Sequence, residues 1–226
     1  MPQYLDIETR MRRYEDVNRN YLMRRTPVIV RLDGRSFHGV TAKLFGKRNY
    51  SQRFVDIMQQ VAIYATEQAQ GCSFSYAQSD EISLLLTDYA ELNSQAWFDY
   101  NINKINTILA SAAASKFTQL TGHLVQFDSR CFNIPKEEVA NYFYSRQLDC
   151  VRNAIQMAGH ENFSHSDLQN KSCNQIQEML FSYRSINFND YPTARKRGYC
   201  VVNGVLDTEI PQFNKNWPYI NRFVNL

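Results

Sequence analysis

The chain contains no CxxC pair and no even set of cysteines. Its five cysteines, Cys72, Cys131, Cys150, Cys173 and Cys200, stand singly. That excludes a disulfide scaffold and a zinc ribbon, and a reducing, cytoplasmic setting is expected. No stretch approaches the roughly 18 uninterrupted apolar residues of a membrane span, so no membrane partner is expected. The opening segment, MPQYLDIETRMRRYED, is too polar and too acidic for a signal or transit peptide. Internal repeats, low-complexity tracts and linker-like stretches are also absent. One continuous domain is therefore expected over residues 1–226, with a core at about 22–135 and a helical portion at about 136–226.

What is present is apolar content of 44% across 226 residues, enough for one sizeable core. The net charge of +3 permits a nucleic-acid partner without requiring one. Basic clusters occur at 10–13 (RMRR), 24–25 (RR) and 195–197 (RKR). On charge patterning alone these are solvated faces or phosphate contacts, with the first the commoner.

Hydrophobic periodicity outlines the elements. Residues 3–21 carry a loose helical stripe of Leu5, Met11, Tyr14, Val17 and Tyr21. TPVIVRLDG, at 26–34, reads as a buried strand ending in an Asp-Gly turn. Residues 51–69 place Phe54, Ile57, Met58, Val61, Tyr64 and Ala65 at amphipathic helical spacing. SFSYAQSDEISLLL, at 73–86, alternates apolar and small residues in two runs, the pattern of half-buried strands joined by a tight turn. A helix fits 95–119, extended chain follows in HLVQFDSRCFNI, and Pro135 opens a helix over 136–158. SCNQ at 172–175 has capping-box spacing, and Asn203-Gly204 between apolar runs signals a hairpin.

A crossover helix after the first strand lays the 73–86 hairpin beside it in one sheet. Asp33, ending that strand, and Asp80, in the hairpin, then converge. Two such carboxylates cannot both stay ionised cheaply: one takes a proton, or a cation bridges them. Oxygen donors without histidine or cysteine point to magnesium, which is usually completed by waters and substrate phosphates. A nucleoside triphosphate is the natural guest, and Gly34 offers close backbone approach and a carbonyl ligand. An ordinary Asp-Gly turn and a solvated Asp-Glu tip fit the same pattern.

TPVIVRLDGRSFHGVT and FSYAQSDEISLLL, with MRRYE before and WFDYNINKI and YFYSRQLDC after, resemble the tRNA-His guanylyltransferase family. The match runs in order over roughly residues 8–200, weakening at NFNDYPTARKRG. The resemblance implies an α+β fold: a palm-like antiparallel sheet with packed helices, a nucleotidyltransferase domain that extends RNA at its 5′ end. In that reaction the incoming nucleotide's 3′-hydroxyl attacks an activated 5′ phosphate. It further implies that Asp33, the Gly34 carbonyl and Asp80 ligate two magnesium ions and that Glu81 supports them. Ser79 and Lys47 match residues at the nucleotide phosphates, Arg31 and His38 flank the first motif, and Lys104 matches a phosphate-supporting lysine. Lys47, Arg31, His38 and Lys104 also fit plain surface or packing roles. GTP and ATP, tRNA and a homotetramer are the implied partners.

Two departures narrow the reading. The family's His-Ile-Asn-Asn-Leu-Tyr-Asn signature becomes VRNAIQM, so Val151 and Met157 replace polar residues and Asn153 alone stays in place. Valine and methionine lack the lost hydrogen-bonding groups, as in the guanylyltransferase-like branch that restores truncated tRNA 5′ ends by copying the opposite strand. The Arg-Lys-Gly element becomes Lys196-Arg197-Gly198, which keeps positive charge but changes its geometry, or forms a plain basic turn. Templated 5′-end repair is the expected activity. Addition of the extra guanosine to tRNA-His and nucleotide cyclisation are the alternatives.

Overall fold

The structure is a computed structural model that describes residues 6–46 and 50–224. Helix α1 (Ile7–Asp16) starts at Asp6, whose carboxylate accepts from the Thr9 N–H. Strand β1 (Val28–Gly34) is followed by α2 (Phe37–Phe45) and α3 (Gln52–Gln68). The β2 (Cys72–Gln78) and β3 (Glu81–Leu86) hairpin comes next, then α4 (Ile102–Thr121) and β4 (Phe127–Asn133). The long α5 (Lys136–Asn162) leads to α6 (His165–Leu168), α7 (Cys173–Arg184) and α8 (Thr193–Arg197). Strands β5 (Tyr199–Val202) and β6 (Val205–Asp207) and the short α9 (Pro218–Asn221) complete the chain.

The strands form one sheet in the order β4-β1-β3-β2-β5-β6, with every neighbouring pair antiparallel. Its first four strands interlock two split βαβ units, β1-α3-β2 and β3-α4-β4, so that each unit inserts a strand of the other between its own. The α+β palm-like sheet expected from sequence is therefore present. Strands β5 and β6 join it beside β2, with Tyr76 opposite Cys200, so the sheet draws on both sides of residue 136.

Helices cover both faces. Val28, Val30, Leu32, Ile82, Leu84 and Leu86 pack with Met58, Val61, Leu109 and Phe117 of α3 and α4. Ile29, Phe74, Tyr76 and Leu85 pack on the opposite face with Val139 and Phe143 of α5 and with Phe213, Ile220 and Phe223. At about 1.5–3 kcal/mol for each large buried side chain, these layers dominate the stabilisation. Double coverage also corrects the expectation of half-buried strands: β3 is buried at all six positions. A third cluster joins the C-terminal half of α5 to α7 through Ile155, Ala158, Ile176 and Leu180.

One local expectation changes. The helix expected from 95 begins at Ile102, because Phe98, Asp99 and Tyr100 hold left-handed φ values of 49°, 53° and 58°. Arg24 pins that turn by binding Asp99 at 3.0 Å and Asp88 at 2.7 Å, and Asn101 caps α4 by accepting from the Lys104 N–H at 3.0 Å. Helix α2 carries Gly39, Val40 and Thr41, which are poor helix formers. It is held by Phe37, whose ring packs against Phe127 and Phe117 at 5.0 and 5.1 Å. The α7 capping box forms as expected, with reciprocal bonds between Ser172 and Gln175. All five cysteines are free, and among the described residues no helix is long and apolar enough to cross a membrane.

Candidate active site

Strand register builds the site. Asp33 lies opposite Glu81 of β3 on one side and opposite Asp128 of β4 on the other. Directly paired residues project to one face, so three carboxylates form a row across adjacent strands, an arrangement that costs free energy unless offset. Asp80 sits just beyond the row, in the two-residue turn between Gln78 and Glu81. The Gly34 N–H donates to the Asp80 carbonyl at 3.2 Å, which joins the strand end to the turn. The strand end carrying Asp33 and the turn carrying Asp80 are thus brought together.

Three local features fix this corner. Ser79 adopts a left-handed φ of 49°, which costs a non-glycine residue on the order of 1 kcal/mol and turns the chain within two residues. Its hydroxyl donates to Asp80 Oδ1 at 3.0 Å. Gly34 is demanded by packing, because a Cβ there would lie 2.3 Å from the Phe37 ring.

The acids differ in their partners. Glu81 is 7% exposed, and both its oxygens accept from Arg146 of α5, at 2.7 and 2.6 Å. Asp128 is exposed and pairs loosely with Arg130 at 3.4 Å, which adds little stability. Asp33 and Asp80 form no ion pair among the described residues. Burial pushes the Asp80 carboxyl up to about 6, although its backbone contacts and Ser79 pull the other way. Asp33 is also raised, by burial first and then by the facing Glu81 and Asp128. Among the described residues no group of three or more His, Cys, Asp and Glu side chains is arranged to hold a metal. Arg146 claims Glu81, which leaves Asp33, Asp80 and the exposed Asp128 as carboxylates, with the Gly34 backbone beside them. Such a small, hard oxygen set suits a cation that keeps waters and takes substrate phosphates.

Two residues deeper on the same face, Arg31 lies opposite Arg130 and Ser83. Its buried Nε has no hydrogen-bond partner among the described residues, and Ser83 bonds the Tyr142 hydroxyl of α5 at 2.9 Å. A basic row thus backs the acidic one. Beside Gly34, a cavity of about 550 Å³ is lined by Arg35, Ser36, Val40, Leu124, Val125 and Gln126, within the size range of small-ligand pockets.

The remaining expected residues lie farther out. His38 is exposed on α2, and Lys104 is exposed on α4 with Nζ 5.6 Å from the Phe98 ring centre. Asn153 is exposed on α5, seven residues after Arg146 and so on the same helical face. Lys196 bonds the Asn189 carbonyl, and the Arg197 carbonyl accepts from the Tyr76 hydroxyl at 2.8 Å. Lys47 lies outside the described residues. Sequence reasoning missed Asp128, Arg130, Arg146 and Tyr142. Asp128 was within reach of the sequence, because β4 beside β1 in a split βαβ sheet brings an acid in HLVQFDSRCFNI level with Asp33.

At the signature positions, Val151 is partly buried against the α5–α7 cluster, whereas Met157 is 43% exposed. The missing histidine is thus replaced by a core-facing side chain, and the missing asparagine by an exposed thioether.

Comparisons with known proteins identify the family and the fold. The family model described as tRNAHis guanylyltransferase (Thg1) matches residues 8–146. The structure is similar to a bacterial tRNA(His) guanylyltransferase (Thg1)-like protein solved with ATP: TM-score 0.93 and 37% identity over 98% of this chain and 100% of that one. A bacterial Thg1-like protein solved with GTP gives TM-score 0.85 and 35% identity, with the same coverage of both chains. The probable tRNA(His) guanylyltransferase of Homo sapiens is 30% identical over 77% of this chain and 64% of its own length. The acidic corner, the interlocked sheet and these matches make the chain a member of the tRNAHis guanylyltransferase family of nucleotidyltransferases.

Proposed function

We propose that this protein is a magnesium-dependent nucleotidyltransferase that extends the 5′ end of a tRNA in the 3′–5′ direction, copying the opposite strand. The observation that carries the reading is the joined pair of raised, unpaired carboxylates, Asp33 and Asp80, at the Gly34–Asp80 hydrogen bond. Asp33, Asp80 and the Gly34 carbonyl are the residues that would hold magnesium. When bound, two magnesium ions supply activation of the attacking hydroxyl and neutralisation of charge on the leaving phosphate.

The 3′-hydroxyl of the incoming nucleotide attacks the activated 5′ phosphorus of the RNA. The new phosphodiester forms as the bond to the leaving phosphate group breaks, and the hydroxyl proton passes to solvent. The chain's own task is positioning. Arg31 has an unpartnered buried Nε to offer a phosphate oxygen, and Arg130 adds charge beside it. Ser79 orients Asp80 and its hydroxyl lies at the mouth of the site. Lys104, Asn153, Lys196 and Arg197, which match the family's motifs, are the further residues proposed to meet the RNA or the triphosphate tail. ATP and GTP, the nucleotides of the similar bacterial structures, are the proposed substrates. A homotetramer would combine several modest basic surfaces into one that grips a tRNA, with affinity falling steeply as salt rises.

Templated repair is favoured over dedicated guanosine addition because Val151 and Met157 present no hydrogen-bonding group where the family signature has histidine and asparagine. The experiment supplies a 5′-truncated tRNA with each opposing nucleotide, all four triphosphates and magnesium, and sequences the new 5′ ends. Ends that follow the template support the proposal. Guanosine added regardless of the template refutes it.

A further inference from the structure

We propose that Arg146 sets the cation affinity and selectivity of the carboxylate corner by holding Glu81 out of it. The inference rests on the reading of Asp33 and Asp80 as a cation site. Glu81 follows Asp80 in sequence and faces Asp33 across the β1–β3 ladder, as the exposed Asp128 does across the β1–β4 ladder, so Glu81 is the buried candidate for a further ligand. Both of its oxygens are instead taken by one guanidinium, through Nε at 2.7 Å and Nη2 at 2.6 Å. The remaining terminal nitrogen of Arg146 donates to Asp149 at 2.6 Å, and Arg152 holds the other oxygen of Asp149 at 2.7 Å. The Arg146 and Glu81 side chains are only 16% and 10% exposed, where one unit of charge has a strong effect.

Helix α5 delivers Arg146 rigidly. Phe143 is fully buried one turn before it, and Gln147 is bonded on both sides, to the Pro211 carbonyl at 3.0 Å and the Phe213 N–H at 2.9 Å. The fork geometry of arginine suits a bidentate lock that lysine cannot reproduce. With the lock closed, the corner offers Asp33 and Asp80, with the exposed Asp128 at its edge, and room for waters and phosphates, the set that magnesium accepts. With it open, Glu81 supplies a further, potentially bidentate carboxylate, which suits the larger calcium ion with its six to eight oxygens. Arg146 is thus a positioning residue, acting on the cation through Glu81.

Calorimetric titration of the full chain with magnesium alone and with calcium alone tests this in the absence of nucleotide. Nearby charges typically shift such equilibria by tenfold or more. Arg146→Gln should bind calcium about tenfold tighter, with a smaller gain for magnesium, so the calcium-to-magnesium affinity ratio rises. Glu81→Gln should bind both about tenfold more weakly, because the Arg146 charge is left over. The double variant should return to within about threefold of the wild type. If Arg146→Gln does not fold, as judged by circular dichroism, tighter binding in the double variant than in Glu81→Gln makes the same comparison. Weaker or unchanged calcium binding in folded Arg146→Gln, or a double variant no tighter than Glu81→Gln, overturns the inference. Asp80→Asn separates the two levels: binding as in the wild type refutes the cation site itself, whereas lost binding leaves only the role of Arg146 in question.

Discussion

The Gly34 N–H donates to the Asp80 carbonyl at 3.2 Å, a contact between the end of one strand and a hairpin turn far along the chain. Because both groups are backbone, the distance between the two acids is set by the sheet and survives replacement of either side chain.

That independence makes the acids testable by pH. Asp80 is raised from 3.8 to about 6 by burial, so its neutral form is favoured in the folded protein. Its stabilising contribution is full below about pH 3.8 and is lost as pH rises through about 6. Without divalent cations, Asp80→Asn should therefore be more stable than the wild type at pH 7–8, by on the order of 2 kcal/mol, and no more stable at pH 3.5. Asp33→Asn should shift stability in the same direction. Urea melts at the two pH values in EDTA check this. Added magnesium should raise the wild-type melting temperature and leave Asp80→Asn where it was.

Gly34 is constrained by a neighbour as well as by chemistry. Gly34→Ala places a methyl 2.3 Å from the Phe37 ring and should cost about 1–3 kcal/mol through overpacking. Combining it with Phe37→Leu should recover part of that loss in denaturant melts, because the obstructing ring is gone.

Arg195 fastens the chain entering α3 to the basic turn before β5. It pairs with Glu161 at 2.5 Å, with both side chains largely buried, and lies 4.4 Å and 3.8 Å from the ring centres of Tyr50 and Tyr191. Arg195→Ala strands the Glu161 charge and should cost about 3–5 kcal/mol, with Arg195→Lys falling between it and the wild type. Thermal unfolding followed by circular dichroism ranks the three proteins.

The signature positions make opposite predictions. Val151→His inserts a polar ring into the partly buried α5–α7 cluster and should cost about 1–2 kcal/mol. Met157→Asn is at an exposed site and should stay within about 0.5 kcal/mol. Equilibrium urea unfolding distinguishes them. A destabilised Met157→Asn would contradict the exposed position of this side chain.

Much of this molecule is readable in one dimension. β1, the β2–β3 hairpin, α3, α5, the Ser172 capping box and the Asn203-Gly204 hairpin all announce themselves through local periodicity or turn chemistry. The acids Asp33 and Asp80 were legible because each ends an obvious element. Asp128 needed the strand order as well as its own segment, and Arg146 was not legible, because it reaches the site through the direction of a helix face, which depends on contacts between distant segments. The left-handed run at 98–100 was hidden for a related reason: distant Arg24 holds it, and local propensity favours continued helix.

The account depends on Asp33 and Asp80 working together at the RNA 5′ end. Its most direct measurement is single-turnover nucleotide transfer to a 5′-truncated tRNA by Asp33→Asn and Asp80→Asn, beside equilibrium binding of the same RNA. A rate loss of about a thousandfold or more in each variant, with RNA affinity within about twofold of the wild type, is the predicted result. Undiminished transfer by either variant contradicts it.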